Sequence, residues 1–99
     1  PRLAERKSTT GSLNMARVRM YCTRFCPYCI MAIRLLNKKG QEIEKIYVDN
    51  DPSLRQQMVK ESSGRTTVPQ IFINGAHIGG YTDMAQLDYN DSLDSLLEN

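Results

Sequence analysis

Two cysteines separated by two residues, Cys26 and Cys29, are the side chains of this chain best suited to chemistry. They follow an apolar, β-prone stretch and precede a helical pattern, so the pair is predicted at a turn from strand to helix. On the first turn of a helix, this spacing brings two sulfurs close enough for a small, reversible disulfide ring. The pattern therefore predicts dithiol redox chemistry, whereas the same spacing on a loop would favour a zinc site.

The two cysteines are predicted to differ in role. Cys26 would be the N-cap, where its sulfur faces the unpaired N–H groups of the first turn and the positive end of the helix dipole, which stabilise a thiolate. Pro27 fits the next position, where no N–H is needed. Arg24 would add a positive charge nearby. Cys26 is therefore the predicted nucleophile, and Cys29, one turn into the helix and less exposed, is the predicted resolving thiol.

Length and composition support one domain with one modest core. The chain has 99 residues, of which 40% are hydrophobic. Residues 1–14 are polar and lack apolar periodicity, so we interpret them as an unstructured leader added for expression, with residues 15–99 as the single domain. Without that leader, ten basic residues balance ten acidic ones. A domain so close to neutral predicts no nucleic-acid partner and no anionic membrane partner.

Cysteine use and hydropathy indicate the compartment. Three cysteines, two of them in a redox spacing, do not make a disulfide framework. No apolar run approaches the length of a membrane span, and the first residues contain no apolar signal core. We therefore expect a protein of a reducing compartment such as the cytoplasm, and we expect it to be a monomer.

The apolar periodicity predicts elements in the order β-α-β-α-β-β-α. Asn74-Gly75 is a hairpin dipeptide between the last two strands, and Asp83 has capping-box spacing to Gln86 at the start of the last helical region. The predicted strands cover 16–21, 42–48, 68–73 and 76–78, and the predicted helices cover 27–39, 52–62 and one or two further segments at the end. A helical crossover between parallel strands plus a hairpin makes a four-stranded mixed sheet with helices on both faces, which is the smallest thioredoxin-like α/β layout.

Three motifs in register resemble one family. They are Cys26-Pro27-Tyr28-Cys29, the run Arg-Thr-Thr-Val-Pro-Gln-Ile-Phe-Ile at 65–73, and His77-Ile78-Gly79-Gly80. Together they resemble a dithiol glutaredoxin, closest to the short bacterial glutaredoxin 3 class. The resemblance implies an enzyme, a glutathione-dependent thiol–disulfide oxidoreductase that reduces protein disulfides and glutathione mixed disulfides. It also implies glutathione as the reductant, with no covalently bound cofactor and no metal.

The resemblance further implies a glutathione site. Val68-Pro69 matches the cis proline of the family, whose preceding backbone pairs with the cysteinyl segment of glutathione like an added strand. The start of the last helix would bind the γ-glutamyl end, with Asp83 facing its ammonium group. The residues implied to bind glutathione are Arg24, Tyr28, Gln56, Thr67, Val68, Pro69, Gly80, Tyr81, Thr82 and Asp83.

Two positions depart from the family pattern. Where many relatives carry lysine three residues before the first cysteine, this chain has Thr23, so the cationic role passes to Arg24. After the glycine pair, the family usually has a small residue and two aspartates, whereas here a bulky ring, Tyr81, is followed by Thr82 and Asp83. Both departures lie in the implied glutathione site.

Other interpretations remain open. Cys22 completes a C-x3-C-x2-C spacing that radical-SAM enzymes use for an iron–sulfur cluster, but 99 residues are too few for their partial barrel. Zinc bound by the three cysteines and His77 is a second possibility, although His77 is predicted to be structural. A glutaredoxin dimer can instead carry an iron–sulfur cluster with glutathione as ligand. Pro27 and Cys29 favour the redox role, because cluster-carrying relatives typically have glycine and serine there.

Overall fold

The computed structural model describes residues 16–98, so the predicted leader at 1–14 lies outside the described residues. The order of elements is the predicted one, with the last helical region divided in two. The elements are β1 (Val18–Cys22), α1 (Pro27–Lys38), β2 (Ile43–Tyr47), α2 (Pro52–Glu61), β3 (Gln70–Ile73), β4 (Ala76–Gly79), α3 (Tyr81–Tyr89) and α4 (Leu93–Leu97). Among these helices, none combines the length and apolar composition needed to cross a membrane.

The four strands form one mixed sheet in the order β2-β1-β3-β4. β1 runs parallel to β2, with Val18 opposite Ile43 and Cys22 opposite Tyr47. The β1–β3 and β3–β4 pairs are antiparallel. This arrangement confirms the predicted sheet, and it places the carboxyl end of β1 immediately before the loop that leads to the cysteine pair of α1.

Successive residues of β1 point to opposite faces of the sheet. Both faces therefore carry apolar side chains, and helices cover both. Met20 and Cys22 join the larger apolar cluster, which includes Cys29 and Leu36 of α1 and residues of α3 and α4. Tyr21 faces the other side, in a smaller cluster with buried residues that include Met58 of α2. The dithiol helix α1 is thus packed on one face and α2 on the other.

Two of the differences from the predicted boundaries bear on the site. β3 begins at Gln70, two residues later than predicted, because Pro69 has no N–H to donate to the strand ladder. The helix α3 begins at Tyr81 with Gly80 as N-cap, so the predicted capping box from Asp83 to Gln86 is wrong. Asp83 is instead the third helical residue, and its carboxylate accepts a hydrogen bond from the N–H of Gly80 at 2.9 Å.

The far end of α1 is tied to the C-terminal helices by one lysine. Lys39 Nζ lies 2.7 Å from Asp88 Oδ1 and 2.8 Å from Asp94 Oδ1. These ion pairs join the C-terminal end of α1, where the helix dipole favours a positive charge, to α3 and α4. They lie at the opposite end of α1 from the cysteine pair.

Candidate dithiol site

Cys26 is the N-cap of α1, with the extended backbone (φ −108°, ψ 116°) typical of that position, and Pro27 follows in the first turn. The carbonyl of Cys26 accepts the first helical hydrogen bond from the N–H of Ile30 at 3.1 Å. Its side chain makes no hydrogen bond to the N–H groups of the first turn. As a thiol it is a donor, and its Sγ lies 3.8 Å from the carbonyl oxygen of Val68.

Cys29 lies one turn into α1 and is buried, whereas Cys26 is partly exposed. Burial is the main cause that raises the pKa of Cys29 to about 12; the hydrogen bond to Cys26 and the charge of that neighbour contribute to the rise, and a backbone hydrogen bond from Thr23 opposes it. Cys29 is therefore a thiol at neutral pH. The two sulfurs differ in access to solvent in the direction that the sequence predicts.

The segment 65–68, which leads into the cis peptide bond between Val68 and Pro69, is fixed by side chains rather than by a strand ladder. Each of its four carbonyl oxygens lies within hydrogen-bond distance of a side-chain donor, and the single hydrogen of the Ser62 hydroxyl is shared with the Met58 carbonyl at 2.6 Å. The pairs are Ser62 Oγ to Arg65 (3.1 Å), Arg55 to Thr66 (3.5 Å), the Gln70 amide to Thr67 (3.0 Å) and Cys26 Sγ to Val68 (3.8 Å). The backbone beside the nucleophile candidate thus has a defined orientation.

The N-terminus of α3 forms the next wall of the site. Asp83 Oδ2 accepts hydrogen bonds from the Gly80 N–H at 2.9 Å and from Arg65 at 3.1 Å. The Gly80 hydrogen bond, followed by that from Arg65, holds the pKa of Asp83 below its ordinary range. Gly79 has φ +117° and lies against the Asp83 side chain, so the turn into α3 leaves no room for a β-carbon there.

Two tyrosine rings lie side by side near the starts of α1 and α3. The centroids of Tyr28 and Tyr81 are 6.4 Å apart, and the ring planes are tilted by 33°. Tyr28 is 57% exposed, and Phe25, which directly precedes Cys26, is 92% exposed. Tyr81, the bulky residue that departs from the family pattern, therefore packs beside Tyr28.

Of the other two residues predicted to bind glutathione, Arg24 is ion-paired and Gln56 is exposed. Arg24 pairs with Asp49 Oδ2 at 3.0 Å, and its guanidinium lies 4.8 Å from the centroid of the Tyr47 ring. Burial opposes ionisation of Asp49, but the hydrogen bonds from Arg24 outweigh it and lower the pKa of Asp49. The charge of Arg24 is thus paired at the end of β2. Gln56 is exposed on α2, next to the arginine that reaches Thr66.

Comparison with known proteins decides the family. A family model described as Glutaredoxin matches residues 18–78, a span that includes the dithiol helix and the segment before Pro69. The chain belongs to the glutaredoxin family. Glutaredoxins are thiol oxidoreductases, and this glutaredoxin therefore falls within that general class.

Known glutaredoxins match nearly the whole described chain. Glutaredoxin 3 of Escherichia coli strain K12 is 46% identical over 84 residues, which cover 85% of this chain and 100% of that protein. The solution structure of a glutaredoxin from Brucella melitensis is 44% identical, covers 86% of this chain and 91% of that one, and has a TM-score of 0.75. A crystal structure of a buckwheat glutaredoxin–glutathione complex, with a TM-score of 0.76 over 83% of this chain and 76% of that one, shares the fold at 24% identity.

Either metal alternative would need several ligating side chains close together. Within residues 16–98, His, Cys, Asp and Glu side chains form no group of three or more that could hold a metal ion. His77 lies on β4, where its ring stacks on Phe72 with centroids 4.9 Å apart and its Nε2 is 2.7 Å from the Gln70 side chain. Cys22 is fully buried at the end of β1, and burial raises its pKa.

The hydrogen bonds of Asp83 to Gly80 and Arg65 predict that part of the free energy of unfolding is lost at acid pH. Because the pKa of Asp83 is lowered in the folded state, its stabilising contribution is present above the unfolded pKa and is lost as pH falls through the folded pKa. We expect Asp83→Asn to make the loss of stability between roughly pH 4 and pH 2 shallower than in the wild type. Urea unfolding across that range measures it, with the exposed Asp91→Asn variant as control. Parallel curves for Asp83→Asn and the wild type would contradict this role.

Proposed function

We propose that this glutaredoxin is a glutathione-dependent thiol–disulfide oxidoreductase that reduces glutathione mixed disulfides and protein disulfides through Cys26 and Cys29. The observation that carries the proposal is the inequivalence of the two sulfurs. Cys26 is partly exposed at the N-cap of α1, beside the Val68 carbonyl, whereas Cys29 is buried and held as a thiol. A substrate sulfur can therefore approach Cys26 but not Cys29.

In the first step, the Cys26 thiolate attacks one sulfur of the substrate disulfide. The substrate S–S bond breaks, a new S–S bond forms to Cys26, and the departing sulfur leaves as a thiolate. With a glutathione mixed disulfide, the adduct is glutathione bound to Cys26. The thiolate of a second glutathione then attacks it, which releases oxidised glutathione and restores the Cys26 thiolate.

Protein disulfides take a second route through Cys29. Once Cys26 is in a mixed disulfide, it no longer carries a charge that raises the pKa of Cys29, so the remaining cause is mainly burial. Deprotonated Cys29 attacks Cys26, releases the substrate thiolate and leaves a disulfide between the two cysteines. Two glutathione molecules reduce it, the first forming an adduct on Cys26 and the second removing that adduct.

The glutathione site would extend from the segment before Pro69 to the start of α3. The backbone of Thr67 and Val68 would pair with the cysteinyl segment, and the N–H groups of Tyr81 and Thr82 would face the γ-glutamyl carboxylate. Both hydrogen bonds to Asp83 end on Oδ2, so Oδ1 is the oxygen that an ammonium group would meet. The buckwheat structure supports the proposal in that a protein of this fold forms a complex with glutathione.

The outer parts of the proposed site are less defined by contacts. Gln56 would face the glycine carboxylate from its exposed position on α2, and Tyr28 would line the proposed site beside Tyr81. For Arg24 to reach glutathione, it would have to leave Asp49, 3.0 Å away. Because the reaction consumes reduced glutathione, the proposal also implies a reducing compartment such as the cytoplasm.

A coupled assay tests the proposal. Glutathione and a glutathionylated peptide are supplied with glutathione reductase and NADPH, and NADPH consumption reports turnover. We expect turnover that depends on both glutathione and this protein. Negligible turnover would refute the proposal, and the visible absorbance of freshly purified protein would then show whether it carries an iron–sulfur cluster instead.

A further inference from the structure

A chain of two hydrogen bonds runs from the edge strand β4 to the segment beside Cys26. Gln70, which is fully buried at the start of β3, donates from its amide nitrogen to the Thr67 carbonyl at 3.0 Å and contacts the Thr67 hydroxyl at 3.3 Å. Its amide oxygen lies 2.7 Å from His77 Nε2. The chain therefore joins β4 to Thr67 through one buried side chain.

The acceptors fix the direction of both bonds. The Thr67 carbonyl can only accept, so the amide nitrogen of Gln70 must face it and the amide oxygen must face His77. His77 Nε2 therefore carries a hydrogen and donates it. Because both bonds run in the same direction in a partly buried setting, each polarises the other. Burial, and then the charge of Arg65, lower the pKa of His77, which favours its neutral form.

The orientation of Thr67 matters because a peptide group is planar. In a trans peptide, the carbonyl of one residue and the N–H of the next point in opposite directions within one plane. Fixing the Thr67 carbonyl therefore also fixes the direction of the Val68 N–H. The Val68 carbonyl, on the next peptide, is the group that lies 3.8 Å from Cys26 Sγ.

We infer that His77, acting through Gln70, is a positioning residue that orients the Thr67–Val68 peptide for pairing with the bound glutathione segment. The inference rests on the proposed function, since that pairing is part of it. His77 does not touch the reacting sulfur, so it supplies no proton to the reaction. Its removal should weaken binding of the glutathione moiety and leave the intrinsic reactivity of Cys26 unchanged.

Two variants of His77 distinguish the effect of losing its hydrogen bond from the effect of losing its aromatic ring. His77→Phe keeps an aromatic ring against Phe72 but has no donor, whereas His77→Gln restores an N–H donor near the place of Nε2. We expect His77→Phe to raise the KM for a glutathionylated peptide about 5- to 10-fold, the loss of one neutral hydrogen bond, with kcat changed less than about twofold. His77→Gln should return KM to within about twofold of the wild type.

Two controls distinguish a positioning role of His77 from a general contribution to the stability of the fold. Alkylation of Cys26 by iodoacetamide needs no backbone pairing, so its rate should be equal in all variants. Gln57→Leu removes a side-chain hydrogen bond of 3.0 Å to Tyr21 and is the matched control for a bond lost elsewhere. An unchanged KM in His77→Phe, or a KM in Gln57→Leu raised as much as in His77→Phe, would overturn the inference.

A second readout distinguishes failure of the inference from failure of the proposed function. If the wild type shows no glutathione-dependent turnover, the proposed function fails, and the backbone amide resonance of Val68 then tests the hydrogen-bond chain alone. A resonance displaced in His77→Phe and restored in His77→Gln would support orientation of this peptide by His77. An undisplaced resonance in His77→Phe would overturn it.

Discussion

Replacing Cys26 with serine should abolish turnover, lowering it at least about 1,000-fold, because a hydroxyl is not appreciably ionised at neutral pH and is a poor nucleophile toward sulfur. Cys26 is the partly exposed sulfur of the pair, and both proposed routes begin with its attack. The coupled glutathione assay, run with a glutathionylated peptide and with a protein disulfide, measures the loss. Neither substrate should be turned over by this variant.

Cys29→Ser is the matched control, because it makes the same atomic change one turn along α1. It should keep turnover of the glutathione mixed disulfide within about threefold of the wild type, since that route does not use the second thiol. Reduction of the protein disulfide should slow markedly. Serine in this buried place carries a desolvation cost of about 1 to 3 kcal/mol, so urea unfolding must confirm that the variant is folded. Turnover retained in Cys26→Ser would refute the assignment of the nucleophile.

The elements that position the cysteines could be predicted from local patterns. The apolar residues of α1 recur at helical spacing, Pro27 fits only the first turn, and Asn74-Gly75 requires the positive φ angles of a hairpin turn. Each of these signals lies within a few residues of the feature it determines. For that reason the order of elements and the N-cap position of Cys26 agree with the structure.

The contacts that depend on distant parts of the chain could not be predicted in this way. Arg24 was expected to add a charge beside Cys26, but its ion pair with Asp49, which is 25 residues away in sequence, was not predicted. Asp83 was expected to begin a helix, but it is the third helical residue and accepts hydrogen bonds from the N–H of Gly80 and from Arg65, which is 18 residues away in sequence. Spacing alone does not report such pairings.

Gln70 and His77 are a second case in which the contacts of a residue could not be predicted from the local sequence. Both belong to motifs on which the family resemblance rests, yet as single residues they indicate only a buried polar strand position and an edge-strand ring. Their hydrogen bonds become visible when β3 and β4 pair, which places Phe72 opposite His77. A buried glutamine is the one signal that sequence reasoning could have used, because a buried amide requires partners.

Gly79→Ala should destabilise the fold by about 2 to 4 kcal/mol, because two costs add at one position. The backbone at Gly79 has φ +117°, a conformation that residues other than glycine rarely adopt. The new β-carbon would also lie 2.8 Å from Asp83 Cγ and closer still to Oδ2, so Asp83 must move. Its hydrogen bonds to Gly80 and Arg65 would then be lost, and with them the local order at the start of α3. Urea unfolding gives the change in free energy, and the coupled assay should show a raised KM for glutathione.

The variant Gly75→Ala distinguishes the backbone cost of a positive φ from the steric cost of the contact with Asp83. Gly75 has φ +85°, but a β-carbon there would meet no atom within 4 Å, so this variant reports the backbone cost alone, about 1 kcal/mol. The steric part can be removed in a double variant, because Gly79→Ala should cost less when Asp83 is already alanine. If Gly79→Ala costs no more than Gly75→Ala and the double variant shows no coupling, then Asp83 is not held against Gly79. The proposed γ-glutamyl site would then lack the fixed carboxylate on which it depends.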